Sequence, residues 1–160
     1  MKLEVKDGYN YKDEIKELFT EYTDLVIKGD KTFEEYLKKQ HFDHEIMHLE
    51  EKYGRPYGRL YIAFYEGKLA GCIGLKKIDR KTCEMKRLYV RSEFRGKHIG
   101  NTLVQKIIDG AKEIGYKYIV LDTFPFLTSA IKMYKNMGFY EIEQYIDSPM
   151  KDAVYLKLDL

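Results

Sequence analysis

The chain has 160 residues and a mass of 19.0 kDa, enough to bury a sizeable core, so 1–160 is read as one domain. With 44% hydrophobic and 34% charged residues and a mean hydropathy of -0.51, the composition excludes collagen, a disordered tail and a membrane protein. The net charge of +2 is unevenly spread: residues 1–54 sum to −5, residues 55–160 to +7, and Lys76 to Lys97 holds nine bases against three acids.

The first residues, Met1-Lys2-Leu3-Glu4-Val5-Lys6-Asp7, alternate charged and apolar side chains and form no signal-peptide core. They predict a strand near Leu3–Val5. Ile15, Leu18, Phe19, Tyr22, Leu25 and Val26 then recur at helical spacing, as do Phe33, Tyr36 and Leu37. A third, shorter helical stretch spans about His44–Tyr53 and stops at Gly54-Arg55-Pro56. Arg59–Tyr65 and Lys68–Lys76 read as strands joined by a Glu66-Gly67 hairpin turn, and Asp79-Arg80-Lys81 turns into a further strand, Cys83–Val90. Leu103, Val104, Ile107, Ile108, Ala111 and Ile114 form a helical stripe closed by Gly115. Tyr118–Leu121 reads as a buried strand. A helix carrying Ala130, Ile131, Met133, Tyr134 and Met137 ends at Gly138, and Phe139–Glu143 and Ala153–Leu158 supply two last strands. The sum is a mixed α/β domain, antiparallel first and alternating afterwards.

The segment Leu88-Tyr89-Val90-Arg91-Ser92-Glu93-Phe94-Arg95-Gly96-Lys97-His98-Ile99-Gly100-Asn101 carries the most chemistry. A strand runs into a basic loop and then a helix start, whose free N–H groups and dipole favour an anion such as a phosphate. It is neither a Walker loop nor a GxGxxG fingerprint. The stretch resembles motif A of the GNAT superfamily of N-acetyltransferases, Arg/Gln-x-x-Gly-x-Gly/Ala, with Arg95 at its first position and Gly100 at its last. Ala130-Ile131-Lys132-Met133-Tyr134-Lys135-Asn136-Met137-Gly138-Phe139 is similar to the same family's A-x-x-x-Y-x-x-x-G-F signature. The resemblance covers about Leu60 to the C-terminus and fades over residues 1–58, where the acceptor site of such enzymes usually lies.

This resemblance implies a GNAT-type acyl-CoA N-acyltransferase fold, with a mixed, mostly antiparallel sheet of six to seven strands flanked by about four helices. It implies acetyl transfer from acetyl-CoA to a primary amine of a small molecule or peptide, by direct attack in a ternary complex. The backbone of Leu88 and Val90 would hold the pantetheine arm, and the Val90 N–H would face the thioester oxygen. The amides of Arg95, Gly96, Lys97, His98, Ile99, Gly100 and Asn101 would hold the pyrophosphate, and Ser129 joins this coenzyme-binding set. Tyr134 would protonate the departing thiolate. Glu84, six residues before Val90 and so expected on the same strand face, is the candidate base. Two departures stand out: His98 replaces a family glycine, acceptable in helical φ/ψ but strained where φ is positive, and Thr123–Ser129 lacks a frequent asparagine.

His44-Glu45-Ile46-Met47-His48 matches HExxH, a zinc-hydrolase pattern, but no third ligand follows at a typical spacing, and no metal is expected. A nucleic-acid partner is disfavoured by a pI of 8.3 and the acidic N-terminal third. A CoA-binding sensor without catalysis would share the fold but has no need of Tyr134. No membrane partner is expected. Cys72 and Cys83 form no ligand spacing, so the expected compartment is a reducing cytoplasm. Dimers are common in this family, which makes a homodimer an expected assembly. The acidic N-terminal third tilts the expected acceptor toward a cationic amine.

Overall fold

The computed structural model describes residues 2–160; Met1, within the span read as one domain, lies outside the described residues. Strand β1 (Leu3–Asp7) leads into helices α1 (Lys12–Gly29), α2 (Thr32–Lys39), α3 (Phe42–Met47) and α4 (Leu49–Tyr53). Strands β2 (Arg59–Tyr65), β3 (Lys68–Lys77) and β4 (Thr82–Val90) form a meander, and α5 (Ile99–Ile114) crosses over to β5 (Tyr118–Thr123). Helix α6 (Thr128–Asn136) precedes β6 (Tyr140–Ile142) and β7 (Val154–Asp159). The seven-stranded sheet is ordered β1-β2-β3-β4-β5-β7-β6, and β4 runs parallel to β5 while the other neighbours are antiparallel. This is the expected mixed α/β architecture. No helix among the described residues is long and apolar enough to cross a membrane.

Turn chemistry sets the meander. Glu66 and Gly67 have φ of 50° and 77°, the two consecutive positive values that match the twist of a tight hairpin. Asp79 Oδ1 accepts hydrogen bonds from the Lys81 and Thr82 N–H groups at 2.8 and 2.9 Å, which shapes the β3–β4 turn.

Each sheet face is covered. Leu103, Val104, Ile107, Ile108 and Ala111 of α5 bury against Ile73, Leu75, Cys83, Met85, Ile119 and Leu121. On the other face, Ile15, Leu18 and Phe19 of α1, with Leu49 and Tyr53 of α4, pack on Leu60, Ile62 and Cys72. A smaller cluster joins Val26, Phe33, Tyr36 and Leu37 to Phe124 and Met150.

Two expectations need correction. The stretch expected to be helical over His44–Tyr53 is interrupted at His48, whose φ of -135° and ψ of 55° separate α3 from α4. The same-face placement of Glu84 and Val90 also fails. Cys72 pairs with Tyr89 but Gly74 pairs with Lys86, so β4 carries an extra residue there, and Arg87 has φ 62°. This bulge reverses the alternation. Cys83 and Met85 lie in the α5-side core, and beyond the bulge it is Leu88 and Val90 that pack on that core while Tyr89 joins the α1 side. Glu84 and Val90 therefore occupy opposite faces.

Candidate active site

The β4–β5 ladder runs from Thr82↔Tyr118 to Glu84↔Val120. Beyond it the strands part around a cavity of about 470 Å³, walled by Met85–Val90 on one side and Leu121–Thr123 on the other. The start of α5 closes one end and α6 another, while Tyr22, Phe33 and Tyr36 of α1 and α2 line the side toward the N-terminal helices.

The sequence-predicted residues mostly converge here. Leu88, Val90, Arg95, Gly96, His98, Ile99, Gly100, Asn101, Ser129 and Tyr134 all line the cavity. The Arg91 N–H donates to the Ala70 carbonyl on β3 at 2.8 Å. By the alternation of a strand, the Val90 N–H faces the opposite edge, where β5 has diverged. The first intrahelical bond of α5 runs from the Thr102 N–H to the His98 carbonyl at 3.1 Å, leaving the Ile99, Gly100 and Asn101 amides without an acceptor in their own helix. Gly96 takes φ 79°, a conformation glycine adopts freely. His98 takes φ 60°, so the residue in the family's glycine position carries a Cβ in the left-handed region, the strained case.

Two candidates stand apart. The Lys97 ammonium lies over the Tyr65 ring, 5.1 Å from its centroid, and the residue is outside the cavity wall. Glu84 is also outside that wall, 1% exposed, and accepts a 2.6 Å hydrogen bond from the Tyr145 hydroxyl. Lys76 and Lys86 each place Nζ 3.8 Å from its Oε1. Burial pushes the Glu84 carboxyl up, but Lys86, the Tyr145 hydroxyl and Lys76 outweigh it and hold the group below its usual range.

Sequence reasoning missed Asp122, which lines the cavity on β5. Burial raises its pKa above the usual carboxylate range, with Lys86 opposing and Glu84 reinforcing the shift. The alternation of core-facing Ile119 and Leu121 continues past the expected strand end at Leu121 and places Asp122 opposite them, a signal present in the sequence. It also missed Arg87, whose guanidinium is buried against Glu45 by bonds of 2.9 and 3.0 Å and donates to Gln40 Oε1 at 2.9 Å. Nothing in an arginine's identity signals a positive φ.

Glu45 is the acid of the HExxH match. Besides Arg87 it receives Lys52 Nζ at 2.6 Å and the Tyr53 hydroxyl at 2.9 Å. A carboxylate so enclosed is unavailable to activate water, and the helix ends at His48, the second histidine of the match, a departure from the zinc-hydrolase arrangement. The acidic N-terminal third is also partly neutralised: Arg91 binds Glu21 at 2.7 Å and Glu17 at 3.2 Å.

Residues 13–139 match the acetyltransferase (GNAT) family. An uncharacterised N-acetyltransferase of Dictyostelium discoideum is 33% identical with 100% of each chain covered, and one of Schizosaccharomyces pombe is 39% identical over 76% of each. A crystal structure of PaiA N-acetyltransferase from Thermoplasma acidophilum in complex with coenzyme A superposes with a TM-score of 0.75, at 19% identity and 100% coverage of both chains. The chain belongs to the GNAT family and is an N-acetyltransferase.

Proposed function

We propose that the cleft between β4 and β5 binds acetyl-CoA and that the chain transfers its acetyl group directly to a primary amine. The observation that carries this reading is the convergence of the Val90 backbone edge, the free amides opening α5 and the Tyr134 side chain on one cavity. Arg95 and the amides of Ile99–Asn101 supply positive potential for the pyrophosphate. An added Cβ at Gly100 would meet Met133 Sδ at 3.5 Å, ordinary contact, so the small residue serves approach from the cavity rather than packing within the protein.

In the transfer step the amine nitrogen attacks the thioester carbonyl, a C–N bond forms and the C–S bond breaks. The Val90 N–H stabilises the negative charge developing on oxygen. Tyr134 donates its proton to sulfur and is later reprotonated from solvent. Burial raises the Tyr134 pKa above its ordinary value of 10.0, so the phenol is fully protonated when the step begins. We assign the proton released by the amine to Asp122, the carboxylate in the cavity wall, whose pKa burial raises above the usual carboxylate range, and give Glu84 the role of balancing Lys76 and Lys86. Neither cysteine offers a covalent route: burial pushes the Cys83 thiol to about 12 and the Cys72 thiol well above its ordinary range.

A thiol-release assay over a panel of amines, with acetyl-CoA affinity measured separately, tests this reading. Tyr134→Phe is expected to lower kcat on the order of a hundredfold while acetyl-CoA affinity stays within about twofold. Absence of acetyl-CoA binding, or unchanged turnover in this variant, would overturn it.

A further inference from the structure

The two histidines of the HExxH match have a different partner from the one the motif supplies. His44 lies in α3, His48 at the break and Glu51 in α4. The His44 and His48 rings stack with centroids 4.3 Å apart and an interplanar angle of 28°. His44 Nε2 lies 3.0 Å and His48 Nδ1 3.4 Å from the same carboxylate oxygen, Glu51 Oε2. Ligand atoms from all three residues lie within 4.8 Å of one another. Around a tetrahedral zinc ion with bonds of about 2.0–2.1 Å, adjacent ligand atoms are roughly 3.3 Å apart. Two of the three separations are therefore close to such an edge, and the third closes when the exposed rings leave their stack and turn toward a common ion.

We propose that His44, His48 and Glu51 bind a divalent transition-metal ion of the zinc type on the outer surface of the α3–α4 elbow. The donor set selects the metal class: two imidazoles and one carboxylate suit zinc or cobalt, whereas calcium and magnesium require oxygen donors. Three protein ligands leave the remaining coordination positions to water. All three side chains are more than half exposed, so the site opens to solvent and its ligands are desolvated at little cost. An ion there spans the break at His48 and fastens α3 to α4. Glu45 in α3 and Lys52 in α4 reach each other across the same elbow at 2.6 Å, so metal and ion pair hold one joint from opposite sides. The role is structural, and the proposal is independent of the acetyl-transfer reading.

The test is calorimetric titration of zinc into the full chain after chelation, with cobalt absorption spectroscopy and thermal unfolding in parallel. One ion per chain, bound below about 100 µM, a visible cobalt band and a rise in Tm of about 5 °C near saturation are expected. His44→Ala and His48→Ala should each weaken binding at least about tenfold, and Glu51→Gln should weaken it measurably, while His98→Ala leaves it unchanged. Because the ligands are exposed, these variants should keep the fold, which far-UV circular dichroism checks. Failure to bind zinc at about 1 mM, or the same affinity in the His44→Ala/His48→Ala double variant, would overturn the proposal.

Discussion

Glu45→Gln tests the buried junction between α3 and the β4 bulge. The substitution keeps the size of the side chain and removes its charge. It leaves the Arg87 guanidinium, 3% exposed, without its directly bonded carboxylate. Burial alone would push the Glu45 pKa up, but the Arg87 charge and hydrogen bonds, aided by Lys52, hold it at about 2 against an ordinary 4.5. That difference corresponds to roughly 3 kcal/mol in favour of the ionised, folded form, in line with the cost of removing one partner of a buried pair. For a chain of this size the variant should melt roughly 10 °C lower near neutral pH. The acid dependence supplies a second readout. A carboxyl whose pKa is depressed on folding contributes its stability above the unfolded value, here 4.5, and loses it as pH falls toward about 2. Urea unfolding of both proteins across that window should show the gap narrowing and closing. A gap below about 0.5 kcal/mol near neutral pH would refute the assigned role of the pair. A gap that stays constant down to about pH 2 would place the cost in packing rather than charge.

Three further substitutions separate packing from ligand binding. Gly100→Ala should leave Tm unchanged or higher, since the new methyl meets Met133 at ordinary distance, yet weaken acetyl-CoA binding at least about tenfold; equal affinity would show that the helix opening is not approached closely. His98→Gly should stabilise the chain by about 0.5 kcal/mol, because relief of the left-handed backbone slightly exceeds the entropy glycine gains on unfolding; chemical denaturation showing a loss would indicate a side-chain contact of greater worth. Gly74→Ala would set a Cβ 2.7 Å from the buried Tyr53 ring and should cost about 1–3 kcal/mol; a neutral effect would show that the ring can move.

Where local chemistry decides, the sequence was readable. Periodicity located α1, α2, α5 and α6, and Glu66-Gly67, Gly115 and Gly138 marked real turns and helix ends with positive φ. The helix opening near His98 and Tyr134 on the next helix are local patterns too, and they reach the same cavity because the α5 crossover sets β5 parallel to β4. The misreadings have long-range causes. Face assignments along β4 assumed strict alternation, which the bulge opposite Ile73 interrupts. The break at His48 lies beside Glu45, which turns inward to Arg87, a partner 42 residues away that helical periodicity cannot reveal. The charge asymmetry between the two halves was real, but it is consumed partly by internal pairs such as Glu21–Arg91 and Glu45–Arg87. It is therefore a weaker guide to the acceptor than the raw count implied.

The bulge in β4 links these observations. A left-handed arginine costs about 1–2 kcal/mol in backbone strain, and a flat β4 would avoid it. A flat strand would also keep Leu88 and Val90 on the α1 side and turn Tyr89 toward α5. With the extra residue, Leu88 and Val90 line the cavity and the guanidinium meets Glu45. The buried Glu45–Arg87 hydrogen bonds, at 2.9 and 3.0 Å, oppose that strain. On this account the N-terminal helices, through Glu45, hold β4 in the shape that sets Leu88 and Val90 along the cleft.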